Sequence, residues 1–362
     1  MKITFLVPSR GNGPSGGVKV IYEYANGLSR RGHDVCVIHF LPQQTSYPSL
    51  KRIFYVLAKK SGIERAFGPS SWMNVDKRIN VILLGKACLE GIPKGDVIIA
   101  CTWWLADVLK DASINYGRRY QFIQEYEYFM TANKYTRQRM TETYLGPLDN
   151  IVISPACRSM VESVGGAVHS EIPNGLDHDV FRLIEPIDSV KRISIGFAAR
   201  NESFKRTQDA ISAIKLIKQK VSKDIEFWCF GAVKPSNLPD WCRFEKRPSD
   251  DDMVALHNHS AVFIVPSEYE GWGLPGSEAM CCGAVLVSTR NGGVEAYAKN
   301  NDTAVLVDVG NPQMIANAVI DLLSDNSKRQ LMARRGNEFI RQMTWERSIL
   351  AMENSITEVV KT

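Results

Sequence analysis

Residues 261–288 read AVFIVPSEYEGWGLPGSEAMCCGAVLVS. The run Ala261–Pro266 is apolar and β-branched, which at this length reads as a buried strand. A polar loop follows with Gly271 and Gly273, and Pro275 is suited to the first turn of a helix. Ala284–Ser288 is a second buried run. Strand, loop, helix and strand within 28 residues is one parallel α/β unit. The same alternation extends outward: Ile193–Phe197, Glu226–Phe230 and Ala304–Val307 are strand-like, with helices beginning near Thr207, Ser249 and Pro312. Near the start, Ile3–Pro8 reads as a strand, Val18–Arg31 has helical apolar spacing ended by Gly32, and Asp34–Phe40 is the next strand. The expected fold is α/β, with two doubly wound parallel domains. Their seam falls near 170–186, where EIPNGLDHDVFRLIEP gathers Pro, Gly, Asn and Asp. The expected boundaries are 1–170, 171–343, and a last helical segment, 344–362, packing back on the first domain.

Composition narrows the function classes. The chain has 362 residues, 44% hydrophobic and 23% charged, ordinary for globular protein and incompatible with wholesale disorder. No stretch matches the ~18 apolar residues of a membrane span. The opening MKITFLVPSRGNG is too short in its apolar run for a signal peptide and reads as a strand. The eight cysteines form no CxxC, so buried free thiols and a cytoplasmic setting are expected. The net charge of +5 divides into +8 for residues 1–165 and −3 for the rest. A basic first half suits an anionic membrane or phosphorylated ligand. No nucleic-acid-binding pattern accompanies it, and nucleic acid is not an expected partner.

Three loops carry candidate chemistry. In an open α/β sheet, ligands bind beyond the C-terminal strand ends, where the Glu270–Glu278 loop must lie. Its glycines permit close backbone approach to a phosphate, and a helix N-terminus favours the negative charge. Glu278, one turn into the helix, is placed for a hydroxyl pair such as a ribose diol. The alternative is a solvated loop acid followed by a helix-start acid. In ISIGFAARNESFKRTQDAI, Arg200 and Lys205 stand at the same sheet edge, and Thr207 is placed to cap the next helix. These cations either stabilise a departing diphosphate or are ordinary solvated charges. The pair Gly16-Gly17 after the first strand suits a diphosphate or merely a tight turn; neither GxGxxG nor GxxxxGK[ST] is present.

The order GGV, IPNGLDHDVF, R-x4-K, VPSEYEGWGLPGSEAM, STRNGGVEAY and TAVLVDVGNPQMIANAVIDLLSD resembles retaining glycosyltransferases of family 4. The resemblance covers residues 170–330; before residue 165 it is limited to the first strand, the glycine pair and SRRGHDVCVI. It implies a GT-B fold, two Rossmann-like domains facing across a cleft. It also implies Glu270 on the transferred sugar, Glu278 on the ribose diol and Arg200 with Lys205 on the diphosphate. Gly16 and Gly17 would approach from the first domain, with Gly271, Trp272, Gly273 and Leu274 completing the donor-binding loop. Family members often present a histidine from the first domain; YQFIQEYEYF has Gln124 and Glu125 there instead. That segment is similar to a Gln-Asp-Tyr-Glu stretch of bacterial rhamnosyltransferase-like proteins. Glu125 either assists an acceptor hydroxyl or is a structural acid.

The implied activity is metal-independent, retaining transfer from a nucleoside-diphosphate sugar to a glycan or lipid-linked acceptor in bacterial surface polysaccharide assembly. No cofactor is expected. A binding-only protein of this fold, or a donor-only enzyme such as a nucleotide-sugar epimerase, is the competing reading. Asp177-His178-Asp179 has the DxD form of a metal site but lies in the linker match, and Asp250–Asp252 reads as helix-start chemistry. Leu50–Lys60 has an apolar and a basic helical face, suited either to an anionic membrane surface or to ordinary packing. Trp103-Trp104 is placed for acceptor stacking or for the core.

Overall fold

The computed structural model describes residues 1–8, 15–40, 73–84, 87–125, 127–184, 186–188, 192–221 and 225–358. The basic segment Leu50–Lys60 lies outside them.

The described chain forms two parallel sheets. The first comprises β1 (Lys2–Val7), β2 (Asp34–Phe40), β3 (Asn80–Leu84), β4 (Val97–Ala100), β5 (Arg118–Ile123), β6 (Asp149–Val152) and β7 (Val168–Glu171), in the order β3-β2-β1-β4-β5-β6-β7. The second comprises β8 (Ser194–Ala198), β9 (Glu226–Gly231), β10 (Cys242–Lys246), β11 (Ser260–Val265), β12 (Val285–Thr289) and β13 (Ala304–Val307), in the order β10-β9-β8-β11-β12-β13. Central strands such as SAVFIV in β11 are buried at every position because helices cover both faces. The strand order reverses between β1 and β4 and again between β8 and β11. A doubly wound sheet opens its crevice at such a reversal, beyond the C-terminal strand ends. The loops after β8 and β11 are the two that carry Arg200, Lys205 and Glu270. The architecture is GT-B: two Rossmann-like domains facing each other across a cleft.

The halves are joined twice. After β7 the chain passes through the Pro173–Phe181 linker into the second sheet, and it returns at Thr344, which bridges Leu176. The last helix, Trp345–Thr357, lies on the helix Gly16–Arg30, where a Cβ on Gly27 would overlap Ile349. Its polar groups are tied to the first half: the Tyr120 hydroxyl donates to Ser355 O at 3.3 Å, and Glu353 pairs with Arg31 and His33. One apolar cluster therefore holds Phe5, Tyr24, Ile349 and Met352 together with Phe263 and Trp272.

All eight cysteines are free thiols, seven of them buried. Among the described residues no helix is long and apolar enough to cross a membrane. The Asp177-His178-Asp179 segment has other duties. Asp177 Oδ1 accepts from the backbone N–H groups of Asp179 and Val180, and the His178 ring contacts Met343 O at 3.0 Å and Cys281 Sγ at 3.7 Å. Asp252 closes a capping box with Ser249 at the start of the helix Asp250–His259.

Candidate active site

A cavity of about 490 Å³ lies between the domains. Ser15, Gly16, Gly17, Gln124, Glu125 and Asn174 line it from the first half; Arg200, Lys205 and Ser267 with the loop from Tyr269 to Pro275 line it from the second. The domains approach closely enough that a Cβ on Gly271 would overlap the carbonyl of Gln124, so only glycine fits there. A Cβ on Gly16 would stand 3.3 Å from Leu274 Cδ1.

The cation loop is built by backbone and hydroxyl clamps. The Thr207 hydroxyl donates to Arg200 O at 2.7 Å, and the Arg200 amide donates back to it at 2.9 Å. Thr207 is thus the first helical residue and not the cap expected from the sequence. Arg206 holds that place in a left-handed conformation, with φ +48°. A non-glycine residue there is strained, and ion pairs to Asp209 at 2.6 Å and Glu268 at 3.6 Å help hold it. The Glu268 amide donates to Phe204 O at 2.7 Å, which fastens the cation loop to the glutamate loop.

Arg200 is exposed, with its guanidinium 5.3 Å from the centre of the Phe230 ring. The guanidinium has no carboxylate partner among the described residues. Lys205 is engaged: its Nζ lies 2.8 Å from Glu270 Oε2, while Glu270 Oε1 accepts from Ser267 Oγ at 2.7 Å. Glu270 is 13% exposed, and its backbone is pinned by Asn291 O at 3.1 Å. The two residues assigned to diphosphate and sugar therefore form an ion pair with each other across the cleft floor.

Glu278 lies apart from that pair, in the second turn of the helix Leu274–Cys281. Burial pushes its carboxyl up to about 6; Lys19 and Arg200 oppose the rise, and Asp250 adds to it. Lys19 comes from the first domain and reaches 3.7 Å from Asp250 Oδ2. Surrounding carboxylates, Glu278 foremost, outweigh the cost of its burial and raise its own pKa. Glu125 is open to the cleft yet enclosed enough for desolvation to raise its carboxyl, with Lys205 opposing and Glu270 adding to the rise.

Gly273 adopts φ +90° as the residue before the helix, with its carbonyl accepting from the Tyr297 hydroxyl at 2.8 Å. The Trp272 ring is only 3% exposed and packs on Tyr297, so its main contribution is to the core beneath the loop. Trp103 and Trp104 line a second cavity behind Gly17. Sequence reasoning missed Lys19, Asn174 and Ser267. Asn174 is 2% exposed and lines the main cleft with its Oδ1 unpartnered. It stands inside the quoted IPNGLDHDVF segment, which was the available signal; Lys19 carried none.

Residues 184–339 match the family described as glycosyl transferases group 1. The second half of the chain is thus similar to a group 1 glycosyltransferase domain. That half supplies Arg200, Lys205, Glu270 and Glu278, while the first sheet supplies the opposing wall. The chain is 31% identical over 112 residues to a D-inositol 3-phosphate glycosyltransferase of Salinispora tropica, covering 31% of this chain and 23% of that protein. It is 30% identical over 114 residues to O-antigen chain mannosyltransferase B of Escherichia coli, covering 32% and 29%. The matched stretch thus spans less than a third of these relatives. Among solved structures, sucrose-phosphate synthase from Thermosynechococcus elongatus superposes with a TM-score of 0.75 at 16% identity, covering 98% of this chain and 97% of that one. Anabaena HepE in complex with UDP-glucose gives 0.70 at 17% identity, covering 98% and 100%. Both likenesses concern the fold alone, and they cover nearly the whole chain.

Proposed function

We propose that this protein is a retaining glycosyltransferase that moves a sugar from a nucleoside-diphosphate donor to a glycan or lipid-linked acceptor. The observation that carries the reading is the convergence of Arg200, Lys205, Glu270 and the start of the helix Leu274–Cys281 at the β8/β11 reversal. Cations and a helix N-terminus suit a diphosphate, and Glu270 suits a sugar hydroxyl. HepE, with the same fold, has been crystallised with UDP-glucose. Donor entry at the cation loop requires Lys205 to exchange Glu270 for the diphosphate. Glu270 is then released towards the sugar.

Chemistry follows on the donor's front face. The bond from the anomeric carbon to the diphosphate oxygen breaks, Arg200 and Lys205 take up the developing charge, and the leaving oxygen accepts the acceptor hydroxyl's proton. The new glycosidic bond forms on the face that the diphosphate leaves, so configuration is retained. Glu125 faces that region and orients the hydroxyl.

No metal is assigned to the reaction. The two cations take the place at the diphosphate that a divalent ion would otherwise hold, and in the Asp177-His178-Asp179 segment the Asp177 carboxylate holds a turn and the His178 ring contacts Met343 O. A thermal-shift screen against UDP-, GDP- and TDP-sugars tests donor binding, since a ligand of the native state raises its stability. Turnover of the donor so found is expected to survive excess EDTA. A strict Mn²⁺ or Mg²⁺ requirement removed by Asp179→Asn would overturn the metal-free mechanism; absence of any donor shift would overturn the transferase reading.

The E. coli relative named for O-antigen mannosyl transfer supports surface polysaccharide assembly as the setting. A lipid-linked acceptor would be met at the inner face of the cytoplasmic membrane, whose anionic lipids attract basic segments by ~1 kcal/mol per nearby cation. The +8 first half then favours peripheral attachment. Co-sedimentation with anionic liposomes is expected at low salt and is expected to fall as salt rises. Replacement of Lys51, Arg52, Lys59 and Lys60 by Gln should weaken it with donor binding unchanged. No sedimentation of the wild type at low salt would point to a soluble acceptor.

A further inference from the structure

The helix Gly16–Arg30 carries a lysine, Lys19, in its first turn, the end of a helix that disfavours a cation. What offsets that cost lies outside the helix. The Lys19 side chain crosses to the second domain, where its Nζ stands 3.7 Å from Asp250 Oδ2. The same ammonium lies 5.4 Å from the centre of the buried Phe181 ring, in the linker. Asp250 begins the helix Asp250–His259, which packs on the helix that carries Glu278. Four carboxylates from four parts of the chain therefore face one ammonium: Glu278 foremost, then Asp250, Glu23 and Asp177. Glu23 stands one turn along from Lys19; burial raises its carboxyl, Lys19 and Arg30 oppose the rise, and Asp177 and Asp250 add to it. The Cys281 and Cys282 thiols and the Tyr297 hydroxyl also feel Glu278, and burial pushes all three up, so they stay neutral.

We propose that Lys19 is a positioning residue of the donor site: brought from the first domain, it balances the charge of Glu278 on the second, so that the ribose side of the site is complete only when the two domains meet. The inference rests on the transferase reading and deepens it. A carboxylate accepts from both hydroxyls of a diol, whereas a protonated acid has given up part of its accepting capacity to its own O–H. Within the second domain Glu278 meets one acid, Asp250, and one cation, Arg200, which the transferase reading assigns to the diphosphate. Lys19 is the cation left for Glu278, and it stands on the opposite side of the cleft. Separating the domains would leave Glu278 beside Asp250, where a like charge favours the protonated acid.

The test uses the full chain with the nucleotide sugar found by the donor screen, and follows donor KM against pH. Lys19→Met is expected to move the acid limb of donor KM about one pH higher, so that KM near pH 6 exceeds the wild type's about fivefold while the two converge above about pH 8. Lys19→Arg, which keeps the charge, should restore the wild-type profile. In the Glu278→Gln background Lys19→Met should change nothing, because the group it balances is gone. Asp250→Asn removes an exposed acid at a helix start, which spares the fold, and should move the limb to lower pH. Opposite movements in the two variants separate a charge effect from damaged packing. A KM offset of equal size at every pH would make Lys19 a direct donor contact or a part of the fold, and overturns the proposal. So does a limb that stays in place in Lys19→Met, or one that moves the same way in Asp250→Asn. Each of those results leaves the transferase reading standing. Failure of the wild type to bind any nucleotide sugar overturns the transferase reading itself.

Discussion

Replacing either Arg200 or Lys205 by alanine is expected to lower kcat/KM by about 10²–10³, the scale for losing one preorganised stabiliser of developing charge. The two losses have different structural backgrounds. Arg200 is exposed and stacks on Phe230 without an acid partner among the described residues, so its removal costs the fold almost nothing. Lys205 is 25% exposed and paired with Glu270, and its removal leaves Glu270 with Ser267 alone, near Glu125. A partly exposed pair of this kind contributes up to about 1 kcal/mol, a Tm change of only about 2–4 °C in a domain of this size. The measurement is kcat/KM alongside the Tm of each variant. A double variant that keeps wild-type turnover would place the diphosphate elsewhere. A collapse of Tm matching the loss of activity would make the pair structural.

How legible this site was depended on whether a residue's role is set locally. Arg200, Lys205 and Glu270 sit on strand-to-helix loops and Glu278 on the helix that follows one, where the end of a buried apolar run announces the sheet edge. Polar or short edge strands were harder to see: β10, CRFEK, is exposed or half-buried except at Cys242. Thr207 failed as a cap because nothing in a sequence marks Arg206 as left-handed; its ion pairs to Asp209 and Glu268, which help hold that conformation, form only in the folded loop. Lys19 meets Asp250, and Asn174 lines the main cleft, only after the halves fold against each other. No spacing within one segment reports that. Glu278 was legible as a glutamate of the site, but not its separate charge environment, which depends on a lysine 259 positions away.

That separation should split the two glutamates in kinetics and in pH dependence. If Glu278 holds the ribose diol, as the resemblance implies, that contact is present before and during reaction, and Glu278→Gln should chiefly raise the donor KM. Glu270, proposed to meet the transferred sugar and paired with Lys205, should lower kcat by roughly 10² as Gln, with KM little changed. The acid limb adds a second readout. With its carboxyl near 6 in the folded protein, Glu278 becomes protonated as pH falls through that value, and the ionised acceptor of the diol is lost. Donor KM in the wild type should therefore climb below about pH 6, while Glu278→Gln should show a flat profile. Stability moves the other way. A carboxyl whose pKa is raised on folding holds its proton more tightly in the native state, so its burial as an anion costs stability above pH 6 and none below about 4.5. Glu278→Gln should then be more stable than the wild type by about 1–2 kcal/mol at pH 7–8, with the gain vanishing towards pH 4.5. Denaturant titrations at several pH values measure this directly. A variant that binds donor normally, or that is less stable than the wild type at pH 8, would show that Glu278 serves the fold and not the nucleotide.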